Sequence, residues 1–367
     1  MPPLYNLIVE LDRTFAVESP AGIEIQPAAA AWERTLAWID QEFGGWWSSE
    51  AHAGANVVAR RDDAPVGFAT IEASGLNLPW LAGTAREPGV GLFGPLGVAQ
   101  GERRRKLGLN ILRHALNELR RRGYSRALIG AVGDERLVRY YGDAAGARVA
   151  ERFERSSLFR TARRALVMAS GNGSNFQAVL DASRNGTLAI EIGALLVNNP
   201  KAYAAERARR AGIDPIVVSW DREKESRKEY DARLLDAAMQ AKPDLVLLLG
   251  WMHLLSEEFV GCFPEMLNLH PAFLPLDPNR DSVVMPDGAS IPAFRGPRAV
   301  RDALAASSCW AGATLHRVTT DTDRGPVLAR KPLRVKPGEE EEALMQRVHS
   351  LEREVVRAGI TRWLFER

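Results

Sequence analysis

Cysteine is scarce: Cys262 and Cys309 are the only thiols in 367 residues. Two thiols exclude a disulfide framework and a multi-cysteine metal site, and they suit a reducing compartment. Long apolar runs are missing as well. The fully apolar stretch at residues 245–249 falls far short of the roughly 20 residues that a membrane span needs. Neither sign of charge dominates, because 48 Lys and Arg meet 46 Asp and Glu for a net charge of +2. That balance argues against non-specific nucleic-acid binding by the whole chain. The opening residues 1–13 have no basic n-region and place Glu10 in the first apolar stretch, so a secretion signal is not expected. No internal repeat or low-complexity tract is present. What remains is 46% apolar and 26% charged, which excludes disorder, over a length that accommodates about two domains. The expectation is a soluble, cytoplasmic chain that acts on small molecules, without metal, membrane or nucleic acid. Its oligomeric state stays open, a homo-oligomer included.

Charge rises and periodicity fades over residues 152–164, so the division is placed at 162: one domain over 1–162 and another over 163–367. In the second, residues 165–169, 192–197, 215–219 and 245–249 read as strands. Residues 175–185, 203–211 and 227–241 read as the helices between them. Strands too apolar to have a wet face belong to a parallel sheet covered on both sides. Residues 339–366 close the chain as a helix with Leu344, Val348, Leu351, Val355 and Val356 at helical spacing. The first domain reads differently, with strands at 57–60, 64–72, 90–98 and 127–131. A helix at 110–122 presents Ile111, Leu112, Ala115, Leu116 and Leu119 on one face. The fold class is therefore α/β: an α+β domain, then a Rossmann-like domain with a mostly parallel sheet.

Two constellations carry chemistry. Ser170, Gly171, Asn172, Gly173, Ser174 and Asn175 stand between a strand and a helix, where glycines let backbone amides approach an anion. Ser174 or Asn175 suits the helix N-cap. The loop lacks the Lys-Ser/Thr of a Walker sequence and the spacing of a dinucleotide fingerprint, which favours a single phosphate monoester. A turn that only caps a helix is the alternative. Further on, Asn268 and His270 share one face of an extended segment, and residues 320–326 supply carboxylates within reach. Amide, imidazole and carboxylate together can hold an oxyanion and move a proton. The alternative is a buried histidine satisfied by a backbone carbonyl. No nucleophile stands beside them, so direct attack by a substrate group fits better than an acyl-enzyme. His253 and His316 share no metal-ligand spacing with His270.

Four motifs in order then carry a resemblance: Ser170 to Gln177, Gly250 to Ser256, Leu267 to Pro275, and Gly312 to Thr319 with Asp321 to Pro326. The region from Ala165 onward resembles the glycinamide ribonucleotide formyltransferases of purine synthesis. The resemblance implies 10-formyltetrahydrofolate as donor and Asn268, His270 and Asp323 as catalytic residues, with His270 protonated and kept so by Asp323. It implies phosphate binding by Asn172, Gly173, Ser174 and Asn175. Arg227 and Glu352 would contact folate or the ribonucleotide, and Met252, His253, Leu254, Leu255, Asp321 and Thr322 the folate. The sequence departs from the pattern at His253 (often Arg), at Arg324 (commonly Gly, with a charge that would bear on the pterin loop) and at residues 276–294. Those last read as an insertion, either a specificity loop or an inert excursion.

In the first domain Gly94 to Ala99, the run Arg103, Arg104, Arg105, Lys106, and Gly108 ahead of a helix resemble the acetyl-CoA segment of the GNAT N-acetyltransferases. Lys106 takes the first glycine position of that loop. The resemblance implies acyl-CoA at Arg103, Arg104, Arg105, Lys106 and Gly108, and Tyr141 as a candidate general acid. A solvated helix entry is the alternative for the arginine run, and packing for Trp46 and Trp47. Three functional readings follow: formyl transfer to glycinamide ribonucleotide beside a GNAT-like domain; formyl transfer to another amine that the first domain acetylates; or a first domain that is a non-catalytic sensor or interaction module.

Overall fold

The computed structural model describes residues 3–18, 20–27, 32–76, 78–154 and 162–366. Part of the charge-rich segment at the expected domain division, residues 155–161, lies outside the described residues. Two compact units result. One comprises Met1–Phe43, Trp47–Arg160 and Leu364–Arg367, the other Gly44–Trp46 and Thr161–Trp363.

The first unit is a seven-stranded sheet of order β2-β3-β4-β5-β6-β1-β7. Its strands are β1 (Leu4–Glu10), β2 (Glu24–Pro27), β3 (Ala55–Arg61), β4 (Ala64–Ile71), β5 (Val90–Val98), β6 (Arg126–Val132) and β7 (Arg148–Phe153). Helices α1 (Trp32–Glu42) and α2 (Trp47–His52) precede β3. Only β5 and β6 run parallel, because α3 (Leu107–Arg121) carries the chain back between them. Ile111, Leu112, Ala115, Leu116 and Leu119 of α3 are all buried, as their spacing requires. They pack with Val57, Ala59, Ala69 and Ile71 in one core cluster. α4 (Glu135–Ala145) opens on the side chain of Asp134, which accepts from the Arg136 amide, and stops at Gly146.

The second unit is a sheet of order β10-β9-β8-β11-β12-β15-β16. It is built from β8 (Arg163–Ala169), β9 (Ile190–Val197), β10 (Pro215–Val217), β11 (Leu245–Leu248), β12 (Met266–His270), β15 (Trp310–Arg317) and β16 (Val327–Arg334). β10 to β12 pair in parallel, whereas β15 and β16 add antiparallel at the far edge. The helices are α5 (Ser174–Arg184), α6 (Tyr203–Arg210), α7 (Arg227–Gln240), α8 (Glu257–Cys262), α9 (Ala299–Ala305) and α10 (Glu341–Phe365). α7 begins with a capping box between Ser226 and Glu229. α10 buries Leu344, Val348, Leu351, Val355 and Val356. Within residues 276–294 a two-stranded hairpin forms from β13 (Ser282–Val284) and β14 (Ser290–Pro292), anchored by the fully buried Met285.

From β8 the chain first builds outward to β9 and β10, then crosses back to β11 and β12 on the other side. The order reverses between β8 and β11. In open α/β sheets the crevice beyond the carboxyl ends of the strands at such a reversal is where ligands bind.

Candidate functional site

β12 ends on His270 and carries Asn268 two residues earlier, opposite His316 of β15 in the antiparallel register. The turn after β15 brings in Asp323, whose backbone sits in the left-handed region at φ 54°. Asn268 Nδ2 donates to Asp323 Oδ1 at 3.2 Å and lies 3.2 Å from His316 Nε2. His270 Nδ1 faces Asp323 Oδ2 at 3.5 Å, His316 Nε2 faces Oδ1 at 3.4 Å, and the Gly296 amide donates to Oδ2 at 2.8 Å. One carboxylate thus stands at the centre of an amide and two imidazoles, with side chains 7% exposed or less for Asp323 and both histidines.

Burial alone would raise the Asp323 carboxyl. The contact with His316, the neighbouring His270 ring and the Gly296 N–H together outweigh it and hold the group well below the usual carboxylate range. For His270 burial wins: its pKa is lowered, although Asp323 and the Phe294 carbonyl act in the other direction. Asp323 is the group that favours a charged ring, and burial opposes it. His270 Nε2 lies 2.7 Å from the Phe294 carbonyl, a distance that requires the N–H there. That leaves Nδ1 as the nitrogen that faces the carboxylate. A second proton taken up at Nδ1 would make an ion pair. The alternative of a histidine satisfied by a carbonyl is half realised, since one nitrogen has that partner and the other faces a carboxylate.

The loop after β8 has Gly173 at the helix N-cap with no side-chain cap bond, so neither Ser174 nor Asn175 caps α5. Gly173 has φ +73°, and a Cβ there would lie 2.7 Å from Ala204 Cβ and 2.8 Å from its Cα. Arg207 donates to the backbone carbonyl of Asn172 at 2.9 Å and to its Oδ1 at 3.0 Å, placing a cation beside the loop. Asn175 turns inward, where its Nδ2 donates to Glu352 Oε2 at 2.7 Å. Burial pushes the Glu352 carboxyl up to about 7. Ser170 Oγ accepts from the Met252 amide at 3.0 Å, tying this loop to the one after β11. That second loop leaves Met252 and Leu254 exposed, 58% and 67%, an uncommon state for two apolar side chains so close in sequence. His253 is half-buried against Tyr230, whose hydroxyl lies 3.2 Å from its Nδ1. Arg227 bonds Asp231 and the Leu254 carbonyl.

Residues 163–276 and 287–360 match the formyl transferase family, and residues 16–146 match the acetyltransferase (GNAT) family. Over 191 residues the chain is 33% identical to the phosphoribosylglycinamide formyltransferase of Escherichia coli (strain K12), covering 51% of this chain and 80% of that protein. It is 34% identical over 198 residues to the enzyme of that name from Mycobacterium tuberculosis (strain ATCC 25618 / H37Rv), covering 54% and 83%. The chain belongs to the formyl transferase family. A trifunctional purine biosynthetic protein, adenosine-3, of Drosophila melanogaster is 33% identical over 214 residues, 56% of this chain, and the match spans only 14% of that longer protein.

The formyl transferase match leaves out residues 277–286. Of the expected residues, the structure brings Asn268, His270 and Asp323 together, and separately Asn175 with Glu352. Met252, His253, Leu254, Leu255 and Arg227 gather in and beside the loop after β11. Asp321 and Thr322 are exposed on the turn that holds Asp323. Arg324 turns away from this turn to bond the Pro278 carbonyl and Asp281 of the insertion, so the expected charge on the pterin loop is spent elsewhere. The sequence weighed His316 only as a metal ligand, and its place opposite Asn268 follows from the register; Arg207, 35 residues from Asn172, went unnoticed.

In the GNAT-family unit, β5 pairs with β6 only over Val90–Phe93, and the remainder of β5 leads to α3. Lys106 stands at the N-cap of α3 with φ 58°, the conformation a glycine would adopt there. Arg103, Arg104 and Arg105 are all exposed; Arg103 donates to the Val98 carbonyl and Arg105 to Glu102. Gly108 leaves space beside Tyr140, whose hydroxyl would be 3.6 Å from a Cβ. Tyr141 is buried against Phe93 and burial pushes its hydroxyl to about 12, so Tyr140 is the more accessible of the pair. Trp47 packs with Phe43 and Phe68.

Proposed function

We propose that residues 163–367 transfer a formyl group from 10-formyltetrahydrofolate to the amine of glycinamide ribonucleotide. The observation that carries this reading is the meeting of Asn268, His270 and Asp323 around one buried carboxylate at the carboxyl end of β12. The phosphate of the acceptor would rest on the backbone amides of residues 172–175, with Arg207 adding positive charge. Glu352 would receive its amine and the exposed Met252 and Leu254 the pterin.

In the reaction the amine lone pair attacks the formyl carbon, and the carbonyl oxygen becomes an oxyanion. Asn268 Nδ2–H and the His270 N–H supply donors for it once substrate draws them from Asp323 and Phe294. The C–N bond to folate then breaks, and the amine's proton passes to the departing folate nitrogen. His270 can carry that proton because Asp323 faces its Nδ1 and stabilises the imidazolium.

Tetrahydrofolate release on mixing the chain with both substrates tests the reading. Asn268→Ala, His270→Ala and Asp323→Ala are each expected to lower kcat by about 10²- to 10³-fold, the usual cost of an oxyanion-site group, with melting temperatures near the wild type. No release by the wild type, or near-full activity in all three variants, refutes it. For residues 16–146 the supported reading is an acyl-CoA site at the α3 N-terminus, with Arg103, Arg104, Arg105, Lys106 and Gly108 around it.

A further inference from the structure

The inserted segment makes an unusual set of contacts with the catalytic turn. Arg295, directly after the insertion and with a side chain only 14% exposed, divides its guanidinium three ways. Nε donates to the backbone carbonyl of Asp323 at 3.2 Å, one terminal nitrogen to Asp281 Oδ1 at 2.9 Å, and the other to the Arg280 carbonyl at 2.7 Å. Arg324, the residue after Asp323, donates to the Pro278 carbonyl at 2.8 Å and to the same Asp281 oxygen. Residues 278, 280 and 281 thus accept four bonds from two arginines, and both arginines hold the turn that presents Asp323. The neighbouring residues 294 and 296 supply the carbonyl on His270 and the amide on Asp323. The acceptors all lie within residues 277–286, the part of the chain that the family match leaves out.

We propose that Asp281 is a positioning residue: through Arg295 and Arg324 it straps the segment at residues 278–281 to the turn at residues 320–325 and fixes where the Asp323 carboxylate stands. A lone exposed ion pair contributes little. Here one carboxylate stands between two guanidiniums whose other bonds go to backbone, so losing it leaves two like charges facing each other next to a catalytic group. Asp281 itself is 75% exposed and touches no reacting atom, so its effect runs through the turn.

The proposal rests on the formyl-transfer reading for its kinetic consequence but not for its structural one, and the test separates them. Full-length wild type, Asp281→Ala, Asp281→Asn, Arg324→Gly and the Asp281→Ala/Arg324→Gly double variant are compared. Amide exchange is followed over residues 319–325, and kcat and KM by tetrahydrofolate release. Asp281→Ala is expected to speed exchange at residues 321–325 about tenfold, with the β8 and β11 amides unchanged. Its kcat should fall at least fivefold, while KM for the ribonucleotide, bound at the β8 loop, stays put. Asp281→Asn, which keeps an acceptor oxygen and loses the charge, should fall between. The double variant should be no worse than the worse single variant, because both substitutions open the same strap. Unchanged exchange in the turn overturns the proposal. So does faster exchange spread evenly over the unit, or losses in the double variant that multiply. If the wild type forms no tetrahydrofolate, the formyl-transfer reading fails and the exchange comparison alone decides the strap.

Discussion

Glu352 is 5% exposed, its nearest polar partner is the neutral amide of Asn175, and burial lifts its pKa from 4.5 to about 7. A carboxyl whose folded pKa is raised contributes stability that is complete below the unfolded value and lost as pH rises through the folded one. The window here is therefore about pH 4.5 to 7, and the shift corresponds to about 3 kcal/mol. Glu352→Gln keeps the acceptor for Asn175 and removes the titration. The difference in melting temperature between variant and wild type should be small at pH 5 and should favour the glutamine form at pH 8. A difference that does not change with pH would show Glu352 ionised in the folded protein throughout. Nothing in the local sequence announces this, because the pair spans 177 residues and depends on α10 docking beside α5. Asn268 and His270 were legible for the opposite reason: their two-residue spacing in an alternating strand already puts them on one face.

At the scale of elements, the apolar runs of β8, β9 and β11 declare themselves in sequence because a strand buried on both faces has no polar positions to dilute the signal. β1 gives no such signal of its role, since its place between β6 and β7 rests on pairings such as Leu7 with Ile129 and Val149. α4 went unread because only Tyr141 and Ala145 are buried along its 11 residues, too few for a periodic stripe. Two loops depend on glycine for space. At Gly325 a Cβ would come 1.7 Å from the Arg317 carbonyl oxygen, which itself accepts from His316 Nδ1. Gly325→Ala must push that backbone away. It is expected to cost about 3 kcal/mol or more, the upper end for overpacking, and to remove most activity. Gly173→Ala meets both a left-handed φ and Ala204. A loss of about 1–2 kcal/mol is expected, with a raised KM for a phosphate-bearing acceptor. Gly171→Ala, which meets nothing within 4 Å, is the control and should stay within about 0.5 kcal/mol of wild type. Denaturant melts rank the three, and equal costs at 171 and 173 would contradict the steric account.

Over the whole molecule, one chain carries two sheets, each followed by a helix whose N-cap residue is left-handed. In the formyl transferase unit a glycine takes the left-handed position ahead of α5, and in the GNAT-family unit a lysine takes it ahead of α3. An L side chain in that conformation costs roughly 1–2 kcal/mol, which Lys106 bears where Gly173 does not. Backbone shape at the two helix starts is nonetheless alike, so the amides of α3 remain available to a phosphate, and the lysine adds a charge where the glycine adds none. The full chain should therefore bind acetyl-CoA in calorimetry, with an affinity that falls as salt rises because phosphate contacts dominate. Lys106→Glu should weaken it tenfold or more by reversing the charge while keeping the chain length of a surface residue. Lys106→Gly should instead raise the melting temperature and weaken binding only modestly, since it relieves the backbone and removes one cation among several. Heat absent for the wild type would leave the GNAT-family unit an interaction module. Binding indifferent to both substitutions would place the ligand away from the start of α3.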